Sequence, residues 1–169
     1  MTIQVRLYRP EDYAACRALW VELTQRHRDI YNDETIGAPD PGRSLDTYLA
    51  DPHRHATWVA EIDGQIVGMA GLVLLNEEEA DVEPVVVTSA RRSQGVGSLL
   101  VQEAVTEAKA IGIRFLNARP VARNKAAAEF FVDAGFDIVG HVDLFQDLAP
   151  EKGRQWETGI TIHGKKLRH

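Results

Sequence analysis

Residues 82–100, VEPVVVTSARRSQGVGSLL, pass from a β-branched run into an amphipathic one across a turn that carries two arginines and two glycines. Val82 to Thr88 reads as a strand. From 96 to 111 apolar side chains recur at Val96, Leu100, Ala104, Ala108 and Ile111, widened by Leu99 and Val105, and Gly112 stands where a helix end wants a glycine. The run that follows, IRFLNARP (113–120), is again a strand. A strand–helix–strand unit of this kind pairs in parallel through a right-handed crossover, so the fold class is α/β.

The start of that helix leaves several backbone N–H groups without partners, and such donors suit an anion. Gly95 and Gly97 remove side chains that would block close approach of the backbone. The helix dipole favours negative charge there, and Arg91 and Arg92 add positive charge. Phosphate, or better pyrophosphate, is the natural guest; a tight turn with no guest is the other reading of the same glycines. A dinucleotide-binding fold would want G-x-G-x-x-G, but the third position is Leu100, and the G-K-S/T of a nucleoside triphosphate loop is absent.

Outward from this unit, QVRLYR (4–9) alternates as a short strand, and Pro10 with Glu11 and Asp12 suits the first turn of a helix running to about Gln25. YNDETIGAPDPGR (31–43) is dense in turn formers, and SLDTYLA (44–50) is a short helix capped by Ser44. TWVAEIDGQIVGMAGLVLL (57–75) is a hairpin around Asp63-Gly64. NKAAAEFFVDAG (124–135) is a helix ended by Gly135. FDIVGHVDLF (136–145) and WETGITI (156–162) are expected as strands, the latter with Trp156, Thr158, Ile160 and Ile162 on one face. The basic tail HGKKLRH (163–169) is expected to be partly disordered. These elements sum to one domain over residues 1–169, a mixed central sheet of about seven strands and about four helices. Its N-terminal half is antiparallel, and the late strands offer an edge for a homodimer.

The chain has 169 residues, 44% of them apolar, which suffices for one substantial core. With 25 acidic and 19 basic residues the net charge is -6, which argues against nucleic acid or anionic lipid as partners. No apolar run reaches the roughly 20 residues of a membrane helix, and no signal-peptide pattern opens the chain, so a cytoplasmic location is expected. The single Cys16 reads as a buried thiol on a helix face. His53 and His55 are the only close histidine pair, a weak one, and no metal is assigned.

At the glycine turn the sequence resembles the GNAT-type N-acetyltransferases. Their pyrophosphate loop follows the pattern R/Q-x-x-G-x-G/A, matched by Arg92, Gly95 and Gly97 after the strand EPVVV. A second shared feature is an Asn leading into a helix with an aromatic pair and a closing Gly-Phe, here Asn124, Phe130-Phe131 and Gly135-Phe136. The resemblance implies acetyl-CoA, or a related acyl-CoA, as donor. It implies that the amides of Arg92, Ser93, Gln94, Gly95, Val96, Gly97 and Ser98, with Arg91 beside them, hold the pyrophosphate. Val85, Val86 and Val87 would then pair with the pantetheine arm, and Asn124 would contact that arm or an ordered water. Phe131 occupies the position where many relatives carry a tyrosine acid for the departing sulfur.

An ammonium cannot attack a thioester, and an alkylamine has a pKa of about 10, so the acceptor must lose a proton at the site. Glu83, about 17 Å along the strand from Thr88, is the candidate base, acting directly or through water, as the Glu at this strand position does in several members of the family. Pro84 has no N–H for a ladder and marks broken pairing. The resemblance implies a bulge there, aiming the N–H of Val86 or Val87 at the thioester oxygen, an oxyanion donor worth roughly 3 kcal/mol in comparable sites. Arg119, Arg123 and Lys125 flank the second motif and read either as contacts to the ribose end of the cofactor or as surface charge. The expected activity is transfer of the acetyl group to a primary amine of a small molecule or peptide. The alternative is a non-catalytic acyl-CoA sensor of the same fold.

Overall fold

The computed structural model describes residues 2–37, 39–150 and 154–169. Strand β1 spans Gln4–Leu7, helix α1 Tyr13–Tyr31 and helix α2 Ser44–Leu49; strands β2, β3 and β4 span Arg54–Ile62, Gln65–Leu74 and Glu79–Val87. Helix α3 covers Val96–Ala110, β5 Phe115–Asn117, α4 Lys125–Asp133, β6 Thr158–Ile162 and β7 Lys165–Arg168. The first five strands form one sheet in the order β1-β2-β3-β4-β5, antiparallel except for the parallel β4–β5 pair. The β2–β3 turn places Asp63 at φ +51° and Gly64 at φ +78°, the backbone a tight hairpin needs.

Successive residues of a strand point to opposite faces, and the burial follows that rule. Ala60, Ala70, Leu72, Ala80 and Val82 face Leu100, Val101, Ala104 and Ala108 of α3 and Phe131 of α4. Their neighbours Val59, Met69, Val73 and Val86 face Cys16 and Leu19 of α1 and Leu45 and Tyr48 of α2. The result is a sheet between two helical layers. Leu100 is fully buried at the centre of one of them, where truncation to Ala would cost about 2–5 kcal/mol.

The structure corrects the reading of the sequence at several elements. Helix α1 runs past Gln25 to Tyr31, because nothing breaks the backbone before Asn32, which closes the helix in the left-handed region at φ 48°. Ser44 is the first helical residue of α2 rather than its cap. Strand β5 keeps only three residues of the expected 113–120. Residues 136–145 form no strand: Ile138 and Leu144 are 88% and 73% exposed, and alternation without a ladder partner does not make a strand. The expected tail disorder is replaced by β7, which pairs with β6 across a His163–Gly164 turn, both residues at positive φ. The sheet therefore has five strands, and the remaining two stand apart as a hairpin.

That hairpin is tied to the body by charge and ring contacts. Arg154 bonds Asp33 at 2.8 Å, and Arg123 donates to the backbone oxygen of His169 at 2.7 Å while its guanidinium lies 4.9 Å from the Tyr31 ring centre. Arg123 is thus engaged with the C-terminal segment. No helix among the described residues is long and apolar enough to cross a membrane.

Candidate active site

β4 is the element that positions the site, because it is paired along only part of its length. Toward β5 it pairs at Glu79, Ala80 and Asp81 with Phe115, Leu116 and Asn117, and then continues alone to Val87. Toward β3 the register jumps between Ala70–Val85 and Leu72–Val82, so Glu83 and Pro84 together stand opposite Gly71. The broken pairing marked by Pro84 and the bulge implied by the resemblance are both present; the Glu83–Pro84 peptide bond is cis. Gly71 admits this geometry because it lacks a Cβ, which would lie 1.8 Å from Tyr48 Oη and 2.5 Å from the Glu83 carbonyl oxygen.

The open edge offers defined donors. Thr88 N–H bonds Val67 O at 2.8 Å, so antiparallel alternation turns Val86 toward β3 and leaves the N–H and C=O of Val85 and Val87 facing the parting. Of the two expected oxyanion donors, alternation selects Val87 over Val86. The Val87 carbonyl already accepts from Arg92 Nε at 3.0 Å, which draws the arginine across the end of β4.

Beyond Val87 the chain makes a short helical turn at Ser89–Arg91, takes Ser93 and Gly95 through positive φ (59° and 83°), and enters α3 at Val96. Gly95 caps α3 without a side chain, so the first amides of the helix stay uncovered. Gly97 also bears on the packing of the helices. A Cβ there would sit 3.3 Å from the Phe130 ring, so the glycine lets α4 approach α3. Ser93, Gln94 and Ser98 are exposed, and Gln94 Nε2 donates to Ala90 O at 3.3 Å. A groove of about 350 Å³ runs beside this turn between α3 and α4, lined by Ser98, Gln102, Val105 and Phe130 among others.

A residue that sequence reading missed holds the turn from the other face of the sheet. Glu22 of α1 accepts from Thr88 Oγ1 at 2.7 Å and from Ser89 N–H at 2.9 Å. Glu22 lies 66 residues from Thr88, and no local pattern singles it out.

At the other end of the parting, Glu83 and Asp81 lie on the α1–α2 face, since Asp81 pairs with the inward-facing Val73 and Glu83 neighbours Gly71 beneath Tyr48. Glu83 keeps a solvent-exposed end, yet surrounding protein desolvates its carboxylate and pushes its pKa up; Asp81 adds to this, Arg119 opposes it and Asp51 adds again. Asp81 is buried, and its Oδ2 accepts from Arg119 Nη1 at 2.5 Å. Burial raises the pKa of Asp81, with Arg119 acting against it. Arg119 is therefore the partner of Asp81.

The two remaining candidates sit at the start of α4 and within it. Asn124 caps α4, its side chain accepting from Ala127 N–H at 3.2 Å. Phe131 is buried in the α3-side core, its ring 5.2 Å from Phe130 and 5.4 Å from Phe136. Among the described residues, no group of three or more His, Cys, Asp or Glu is arranged to hold a metal ion.

With this geometry in place, comparison with known proteins is direct. The model of the acetyltransferase (GNAT) family matches residues 13–136. The fold is similar to that of a transcriptional regulator from Bacillus halodurans, at 24% identity and a TM-score of 0.65 over 87% of this chain and 100% of that one. It is similar to AAC(6')-Iy in complex with the bisubstrate analog CoA-S-monomethyl-acetylneamine, at 16% identity and a TM-score of 0.63 over 87% and 99% of the two chains. A Trypanosoma brucei acetyltransferase gives 18% identity and a TM-score of 0.62 over 87% and 100%. No curated protein sequence matches.

Proposed function

We propose that this chain, which belongs to the acetyltransferase (GNAT) family, transfers the acetyl group of acetyl-CoA to a primary amine by direct attack within a ternary complex. The observation that carries the reading is the unpaired edge of β4, with backbone donors at Val85 and Val87, an uncovered helix start at one end and a carboxylate at the other. The pyrophosphate fits the turn from Arg91 to Ser98, where amides and the two arginines supply positive potential. The extended pantetheine arm fits the edge at Val85 to Val87 as an added strand.

Glu83 takes the proton of the acceptor ammonium, directly or through one water. The amine lone pair then attacks the thioester carbon, and the Val87 N–H receives the developing oxyanion. The C–S bond breaks as the amide forms, and the second proton shed by the attacking nitrogen passes to the departing sulfur or to water. A thiol pKa of about 8.5 makes CoA a tolerable leaving thiolate without a side-chain acid. A covalent relay through cysteine is disfavoured, because burial pushes the Cys16 thiol up to about 12 and leaves it no access to solvent. The unit extends over residues 1–169 as one domain, since Arg154 and Arg123 bind the C-terminal hairpin to the rest.

One observation favours a second reading, a sensor that binds acyl-CoA without turnover: Phe131 has no hydroxyl to offer and is committed to the core. The test is calorimetric titration with acetyl-CoA and with CoA, followed by thiol release against a panel of amines. Micromolar binding with amine-dependent release supports the transferase; binding with no release from any amine supports the sensor; no binding at low salt removes both.

A further inference from the structure

One stretch of the chain and one edge of its sheet are both left without partners. After α4 the residues from Phe136 to Leu148 include no lysine or arginine, and Ile138, Val139, Val142, Leu144, Phe145 and Leu148 are between 49% and 88% exposed. At roughly 150–200 Å² for each large apolar residue this amounts to roughly 700–900 Å², above the patch of about 300–600 Å² that a monomer usually shows and close to the roughly 800 Å² per partner of a stable interface. The backbone is equally bare: between Asp137 and Gln146 no N–H or carbonyl is hydrogen-bonded to another described residue.

Both ends of the stretch are anchored. Phe136 N–H bonds Phe131 O at 3.0 Å, and the two rings are in contact. Phe145 lies 5.1 Å from the Trp156 ring, and Asp147 Oδ2 accepts from Trp156 Nε1 at 2.9 Å. The span between them is a strap held outside the core. Its sequence has the pattern of a half-buried strand: with alternate residues on opposite faces, Ile138, Val142 and Leu144 share one side, and Asp137, His141 and Asp143 share the other.

The edge that lacks a strand is that of β5. It ends the sheet and pairs with β4 alone. Leu116 packs against the α3-side core, so a strand added beyond it would lay its apolar face on that side. Phe115 is exposed, with the guanidinium of exposed Arg114 4.8 Å from its ring centre. The strap is acidic and the edge carries arginine, so the two are complementary in charge as well as in backbone. An open edge of this kind is a template for a strand from another chain. One molecule carries both halves and does not join them, whereas two copies related by a two-fold axis satisfy both at once.

We propose that the protein forms a two-fold dimer in which residues 137–146 of each copy pair with the open edge of β5 in the other, with Ile138, Val142 and Leu144 extending that copy's α3-side core beyond Leu116. The dimer stands whether or not the chain transfers an acyl group.

The test is sedimentation equilibrium of the full chain, with hydrogen exchange read on the same samples. At micromolar concentration the wild type should have twice the 18.8 kDa mass of one chain. The amides of 137–146 and of β5 should exchange slowly in the dimer and faster on dilution. Leu144→Asp puts a charge into the interface and should weaken association by about 100-fold or more, freeing the 137–146 amides. Ile138→Asp should do the same, and both side chains are exposed in the single chain, so the monomers keep their fold. Should both variants fail to fold, the exchange pattern of the wild type decides by itself. A wild type that is monomeric at about 100 μM overturns the proposal. So does a monomer with protected 137–146 amides, because the strap then pairs within its own chain. A dimer untouched by both substitutions, or one that leaves 137–146 or β5 unprotected, puts the interface elsewhere and overturns it too.

Discussion

The two ends of β4 are built on different principles. From Val85 to Ser98 the site is continuous backbone: an unpaired strand edge, a turn through positive φ and a bare helix start, with side chains mainly kept out of the way. At Asp81 and Glu83 the site is an assembly of side chains from β4, α2, the loop after it and the segment after β5, whose charges shift one another. A backbone site tolerates most substitutions that leave glycine and charge alone. A side-chain assembly loses function with any one member. The contrast predicts different kinds of damage at the two ends.

The largest effect is expected at Glu83. Glu83→Gln should lower kcat by about 10²–10⁴-fold, the usual worth of a positioned base, while CoA affinity measured by calorimetry stays close to wild type. The pH profile carries the sign. Desolvation and Asp81 raise the pKa of Glu83, so the group is protonated and unable to accept as pH falls through that raised value. The acid limb of kcat/KM should therefore lie above the ordinary carboxylate range and vanish in the Gln variant. A wild-type rate at every pH would remove Glu83 as the base.

At the backbone end, charge reversal probes the anion site. Arg92 lies across the end of β4 on the Val87 carbonyl, and Arg92→Glu should weaken CoA binding by about 100-fold, more at low salt than at high. Unchanged affinity would mean that the turn holds no pyrophosphate.

The joint between the two ends is Gly71. A methyl group there meets Tyr48 Oη and the Glu83 carbonyl at 1.8 and 2.5 Å, so Gly71→Ala must displace α2 or the bulge. A loss of about 1–3 kcal/mol in stability is expected, seen as a lower Tm, with turnover falling more than CoA affinity because the acceptor end moves. A variant with wild-type Tm and kcat would show that Tyr48 swings aside freely.

The same contrast explains what could be read in advance. Arg92, Gly95 and Gly97 lie close together in the chain, and Pro84 announces broken pairing by chemistry alone, so the turn and the broken pairing were legible in residues 82–100. The helical layers were legible too, because apolar periodicity at Val96, Leu100, Ala104 and Ala108 reports directly on a buried face. Asp81 was not, since its partner Arg119 lies 38 residues away and a carboxylate in a strand carries no local sign of burial. The C-terminal segment misled in both directions. Its alternation from Phe136 to Phe145 has no partner strand, whereas the His163–Gly164 turn between TGITI and KKLRH was a readable hairpin signal hidden by the basic composition around it.

The smallest expected effect tests whether the two helical layers are coupled through the turn. Glu22 reaches from α1, on the Glu83 face of the sheet, to the hydroxyl of Thr88 and the amide of Ser89 at the start of the glycine turn. Glu22→Gln keeps the shape and one acceptor oxygen but gives up the charge and one of the two bonds, at a cost of about 1 kcal/mol. That is a several-fold loss of CoA affinity with little change in kcat once the cofactor is saturating. The placement of Glu22 makes a further demand, because anything that shifts α1 also shifts Thr88. An acceptor bound against α1 should therefore alter CoA affinity in the wild type, and less so in Glu22→Gln. Equal coupling in both proteins would confine Glu22 to folding the turn.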